Sequence, residues 1–217
     1  TSVSGRLAIP STTGTKTFTG DVTVNNGGTW DNTPGNVAIA MAGSLRNDGT
    51  FGAGTGVYTF SGAAKTIGGV STISIPNLTV NGTVTNNGTL NVGTALSGSG
   101  TVTNGAGATL GIGGTSGVTT LTATANPNTV DYIGAAQTVR AITYHHLSLS
   151  GSGAKTLTNV ATINGNLTLG LRDRAGDQVV GQDPEPAGQP FGRADHPRLR
   201  DVEDAEEDEG EACEPPS

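Results

Sequence analysis

The chain has 217 residues, of which 35 are Gly and only 4 % are aromatic, and it carries a single cysteine, Cys213. One cysteine excludes an intrachain disulfide, and no run of about 18 apolar residues is present that could cross a bilayer as a helix. The net charge of −7 is uneven: residues 1–170 hold six Lys or Arg and four acids, net +2, whereas residues 171–217 hold five Arg and fourteen acids, net −9.

The chain opens at Thr1 without a basic or apolar leader, as expected of a mature chain or an excised fragment. From there it reads as short strands separated by Gly and Asn. VTV at 22–24, AIAM at 38–41, YTF at 58–60, ISI at 73–75 and LTV at 78–80 alternate apolar with Thr, Ser or Ala; LSL at 147–149 and LTL at 167–169 do the same. Period-2 alternation marks a strand with one buried face, and the i, i+3, i+4, i+7 spacing of a helix is missing. The composition and pattern predict an all-β chain.

A second signal is repetition. The phrases NNGGTW, NDGTF, NNGTL and NGAGATL end on Trp30, Phe51, Leu90 and Leu110, with gaps of 21, 39 and 20 residues, and Val70 stands near the missing beat. A period of about 20 residues is that of a solenoid coil. Longer echoes overlie it: FSGAAKTI at 60–67 with YIGAAQTV at 132–139, NLTVNG at 77–82 with HLSLSG at 146–151, and GTKTFT at 14–19 with GAKTLT at 153–158, as expected of super-repeats of about 70 residues spanning three to four coils.

The expected fold is a single-stranded parallel β-helix with coils of about 20 residues, in which Asn and Gly supply left-handed corners. The rival is an antiparallel β-repeat or sandwich, because Asn-Gly at 81–82, 87–88, 104–105 and 164–165 is also a hairpin signal. The boundaries that follow are a lead-in over 1–11, a repeat domain over 12–170 and a tail over 171–217. The tail has no Thr, Asn or Lys, holds six of the ten prolines and is expected to be disordered. Its abrupt start after NGNLTLG reads as a shifted frame or an unrelated appendage, leaving an uncapped coil near residue 170; an acidic tail for cations or a basic partner is the alternative.

The phrases SGAAKTIGG…IPNLTVNGTVTNNGTLNVGTALSGSGTVTNGAGATLGIGG and NTVDYIGAAQTVRAITYHHLSLSGSGAKTLTNVATINGNLTL resemble the repeats of bacterial secreted and cell-surface β-helical proteins. These include adhesins, autotransporter passengers and filamentous-haemagglutinin-like proteins. The resemblance covers about residues 12–170. It implies an extracellular, non-catalytic stalk or adhesin segment that meets glycans, host matrix or neighbouring cells, with an anchoring module elsewhere in the parent protein.

Candidate chemistry is sparse. The four acids of the body, Asp21, Asp31, Asp48 and Asp131, are not one period apart, so paired carboxylates for hydrolysis and Asp-based calcium repeats are not expected, and no cofactor, metal or enzymatic activity is assigned. Six dispersed basic residues make no nucleic-acid footprint. His145 and His146 are expected on opposite faces of a strand, and Trp30 with Phe51 as an internal stack. Arg140, Tyr144 and Tyr132 offer a weak sugar-binding patch. A sharper pattern is Thr-x-Thr at Thr83/Thr85, Thr101/Thr103 and Thr120/Thr122, steps of 18 and 19 residues. Stacked coils would align these six on one outer face, an arrangement similar to β-solenoid binders of ice or crystalline surfaces; the plainer reading is that outward Thr is a good strand residue.

Overall fold

A computed structural model of the chain describes residues 1–159 and 162–170. Within them there is no helix, and every strand pairing is parallel, so the antiparallel rival is excluded. The chain winds into about eight coils of roughly 20 residues, a β-solenoid. The expectation of disorder over 171–217 lies outside the described residues.

Each coil has three sides. Its first side is laid down by Ser2–Val3, Val22–Val24, Leu45–Asn47, Lys65–Gly68, Thr83–Asn86, Thr101–Asn104 and Thr120–Thr122, hydrogen-bonded in that order. The second side begins with Arg6–Ala8, Thr29–Asp31 and Thr50–Gly52. Two long strands, Ile73–Val80 and Thr89–Ser97, then turn the corner between second and third sides. Their first halves pair with each other and onward to Thr109–Ile112, Thr129–Tyr132, His146–Leu149 and Leu167–Leu169. The second half of Ile73–Val80 pairs back to Val57–Phe60, and through it to Ile39–Met41 and Lys16–Phe18. A register shift between Ile75 and Asn77 makes the bend, where Pro76 needs no ladder donor.

Residues 1–11 supply the first two sides of the first coil rather than a lead-in, since Ser2–Val3 pairs with Thr23–Val24 and Arg6–Ala8 with Thr29–Asp31. Alternation does the rest. Inward positions such as Val22, Val24, Leu45, Ile67, Val84, Val102 and Leu121 are buried in one continuous spine. In the first coils the spine is aromatic: Trp30 stacks on Phe51 at 5.7 Å and 12°, with Phe18 at 5.1 Å from Trp30 and Tyr58 at 5.8 Å from Phe51. That confirms the internal stack. The beat between Phe51 and Leu90 is Ile73, which is fully buried and paired with Leu90; Val70 is 83 % exposed.

The recurring Asn phrase has a role different from the left-handed corner expected of it. Among the described residues only Asn36 and Ala64 have positive φ outside glycine. Asn47, Asn86 and Asn104 instead point inward and are fully buried. Asn47 and Asn86 accept, through Oδ1, the N–H of Gly49 and Gly88 two residues on (3.2 Å each), closing the corner as an Asx turn. The side-chain amide then donates to the neighbouring coil: Asn47 to Thr72 O, Asn86 to Thr109 O and to Asn104 Oδ1 (2.9 Å), Asn104 to Thr129 O (2.8 Å). The buried amide donors of the asparagines are thereby paired, as second donors to main-chain carbonyls of the next coil. Glycine follows for a steric reason: a Cβ on Gly49 would strike Gly28 O of the coil beneath.

Of the longer echoes, GTKTFT and GAKTLT both supply third-side strands, Lys16–Phe18 and Lys155–Leu157, but the other two change sides. FSGAAKTI runs from the third side to the first, whereas YIGAAQTV runs from the second to the third. What is copied is a strand–corner–strand module, reused one side out of phase.

Candidate functional site

The six threonines singled out from the sequence do come together. Thr83 pairs with Thr101 and Thr101 with Thr120; Thr85 pairs with Thr103 and Thr103 with Thr122. All face outward from the first side, with their neighbours Val84, Val102 and Leu121 buried beneath them. Rungs in a ladder lie about 4.8 Å apart and alternate residues of a strand about 6.6 Å apart, so the six hydroxyls form a two-by-three grid. One of its columns is longer than the Thr-x-Thr motif revealed. Thr66 pairs with Thr85 at one end, the register of Ala123 with Tyr144 sets Thr143 beside Thr122, and Thr143 pairs with Thr162. Aligning the chain on single outward threonines rather than on pairs would have exposed this column. A comparable column, Thr89–Thr109–Thr129, runs along the second side, so outward threonine is a habit of the fold and not confined to one face.

Among the described residues most charged side chains bond within or between coils. Arg6 Nη2 meets Asp31 Oδ2 and Arg46 Nε meets Asp48 Oδ2, each at 2.6 Å. Asp31 lies below the ordinary carboxylate range, chiefly because the Thr33 hydroxyl donates to it, then because Arg6 does. Asp48 is lowered first by the Val70 N–H and then by Arg46. Asp21 accepts the Ser44 N–H of the next coil. Lys16 Nζ donates to Ser11 Oγ and Thr13 O, while Lys155 Nζ donates to Gly134 O, Ala135 O and Gln137 Oε1. Among the described residues no group of three or more His, Cys, Asp or Glu converges as a metal site would require.

Two sequence expectations change. Tyr132 and Tyr144 are fully buried, with their hydroxyls 3.0 Å apart, so they form no sugar-facing patch. Tyr144 donates to Arg140 O and Tyr132 accepts the Arg140 N–H (2.9 Å), which ties the turn at Arg140 to the core. Burial raises the Tyr144 phenol well above its ordinary value. Near Trp30, burial likewise pushes Tyr58 up to about 12. His145 and His146 do not point to opposite faces, because the strand ends at Tyr144 and resumes at His146 with His145 at the corner. Their rings meet edge to face at 4.3 Å. His146 Nδ1 accepts the Asn166 N–H (2.9 Å), so this imidazole is a coil-to-coil contact whose Nδ1 lone pair is occupied.

No protein-family model, curated protein or solved structure matches the chain. No helix among the described residues is long and apolar enough to cross a membrane.

Proposed function

We propose that the chain is a non-catalytic, extracellular structural and adhesive repeat segment of a bacterial surface or secreted protein, anchored through a module elsewhere in its parent. What carries this reading is the use of the charged side chains. Arg6, Asp31, Arg46, Asp48, Asp21, Lys16 and Lys155 bond within or between coils, so the few charges of the described residues are mostly engaged, and the rest of the outward surface is largely neutral Thr, Ser and Gly. Such a body is built to extend a surface, and weak polar contacts repeated along it suit glycans or matrix. The expected result is binding of the full chain to a glycan or matrix-protein array with no turnover of polysaccharide or peptide substrates. Hydrolysis of any of them, abolished by a single substitution, would overturn the reading.

A second reading rests on the Thr grid: Thr83, Thr85, Thr101, Thr103, Thr120 and Thr122 would bind ice or another crystalline surface. In-register hydroxyl columns favour it. Thermal hysteresis that disappears in Thr103→Tyr would support this reading over the stalk; absence of ice shaping removes it.

A further inference from the structure

The stack contains a fault. Between the sixth coil (101–116) and the seventh (120–139) the second side pairs without a break, yet the third side does not pair at all. Thr115–Ser116 pairs only with the fifth coil, and Gln137–Val139 only with Lys155–Leu157 of the eighth. A cleft of about 540 Å³ opens there, lined among others by Thr115, Ser116, Ala136, Thr138 and Arg140. It is wedge-shaped. At one end the coils touch, since a Cβ on Gly134 would collide with Gly113 O. At the other they are held apart by a full arginine side chain, with Arg140 Nη1 donating to Val118 O and Nη2 to Thr119 O (2.6 Å). Gln137 Nε2 clamps the near end by donating to Ile112 O and Gly114 O (2.8 and 2.9 Å).

Three features of the cleft lack partners among the described residues. In a parallel ladder alternate residues turn their N–H and C=O to opposite neighbours. Gly117 N–H goes to Leu96 O in the fifth coil, so the main chain of Ser116 faces the cleft. Gln137 N–H goes to Ala154 O in the eighth, so the main chain of Thr138 faces it from the other wall. Second, Ser116 continues the core column Leu78–Leu96, but its Oγ is buried without a hydrogen-bond partner. Third, Arg140 gives its bonds to neutral carbonyls, and among the described residues no Asp or Glu lines the cleft.

We propose that this cleft binds an extended peptide bearing a carboxylate, its main chain pairing with Ser116 and Thr138 and its carboxylate meeting the Arg140 guanidinium. Unpaired strand edges select an extended main chain, as in strand addition elsewhere. Arginine offers five N–H donors, more than the two carbonyls use, and its charge adds a charge-assisted bond. The proposal goes beyond the stalk reading, which stands whether or not the cleft is filled.

The test uses the full chain and a capped fluorescent peptide, Thr-Val-Glu-Val-Thr, with hydrogen exchange read at the Ser116 and Thr138 amides. Saturable binding is expected, slowing exchange at both amides, with affinity at least tenfold weaker for the Lys analogue of the peptide and for Arg140→Gln. Ser116→Leu extends the Leu78–Leu96 column; it is expected to raise the melting temperature while abolishing binding. That combination separates a filled site from a misfolded chain. The proposal is overturned by equal binding of the Glu and Lys peptides, by binding unchanged in both variants, or by amides already protected without peptide.

Discussion

The first three coils and the next three share the same three-sided plan but differ in size and in the side chains that fill it. On the first side, steps from Val3 to Val24, Val24 to Asn47 and Leu45 to Ile67 take 21, 23 and 22 residues. The later steps, from Ile67 to Asn86, Val84 to Val102 and Val102 to Leu121, take 19, 18 and 19. The longer coils enclose Trp30, Phe51 and Tyr58, with Trp30 Nε1 donating to Tyr58 Oη and Tyr58 Oη to Ala53 O, both 3.0 Å. The shorter coils contain no aromatic residue and draw their cohesion from Val, Leu, Ile and the Asn86–Asn104 rung. Coil length and side-chain volume are therefore coupled: extra corner residues widen the tube, and a large ring fills it.

The comparison can be broken most forcefully at its aromatic end. Trp30→Ala should cost about 3–5 kcal/mol by cavity formation and strip Tyr58 of a donor. Because a solenoid is stabilised between nearest neighbours, the loss should be local. Hydrogen exchange should accelerate in residues 16–60 while the amides at Val102 and Leu110 stay protected; uniform acceleration would show that the two halves do not differ.

Alkali probes the same region. Tyr58, at about 12 when folded, lies above its ordinary value of 10, so its contribution is complete below pH 10 and is lost as the pH rises toward 12. Two units correspond to roughly 2–3 kcal/mol. Tyrosinate absorbance should show a late-ionising phase that coincides with loss of structure in the first coils, and Tyr58→Phe should remove that group from the phase.

In the middle coils the rung is the weak point. Asn104→Leu should cost about 1–3 kcal/mol by orphaning an Asn86 donor and removing the Asn104 bond to Thr129 O. Adding Asn86→Leu should cost less than the two single changes summed, and a double-mutant cycle by urea unfolding measures the difference. Strict additivity would mean that the rung is not coupled. Smallest of all, Thr103→Val should stay within about 0.5 kcal/mol, since the position is outward and β-branching is kept.

Much of this was legible in the chain. The 20-residue period, the inward residues of VTV, YTF and LTV, the Trp30–Phe51 stack and the Thr rows all follow from alternation and spacing, and all are found. Reading failed where a residue's meaning depends on the coil beneath it. Val70 matched the period but sits in a corner, while Ile73, displaced by three residues, enters the core. His145 seemed mid-strand because nothing local marks the corner at Tyr144. Tyr132 and Tyr144 looked like surface aromatics because their hydrogen bonds to each other and to Arg140 cross coils. The cleft beside Gln137–Val139 was not legible, because it lies between strands of different coils.

By itself the sequence determined that short strands alternate in and out at a near-constant period, because those are properties of neighbouring residues and of copied phrases. Only the tertiary structure decided which side each strand occupies, which asparagines turn inward and where the ladder is left unpaired. Those choices depend on hydrogen bonds between residues about 20 positions apart, and a coil longer or shorter by two residues reassigns them without altering the local pattern.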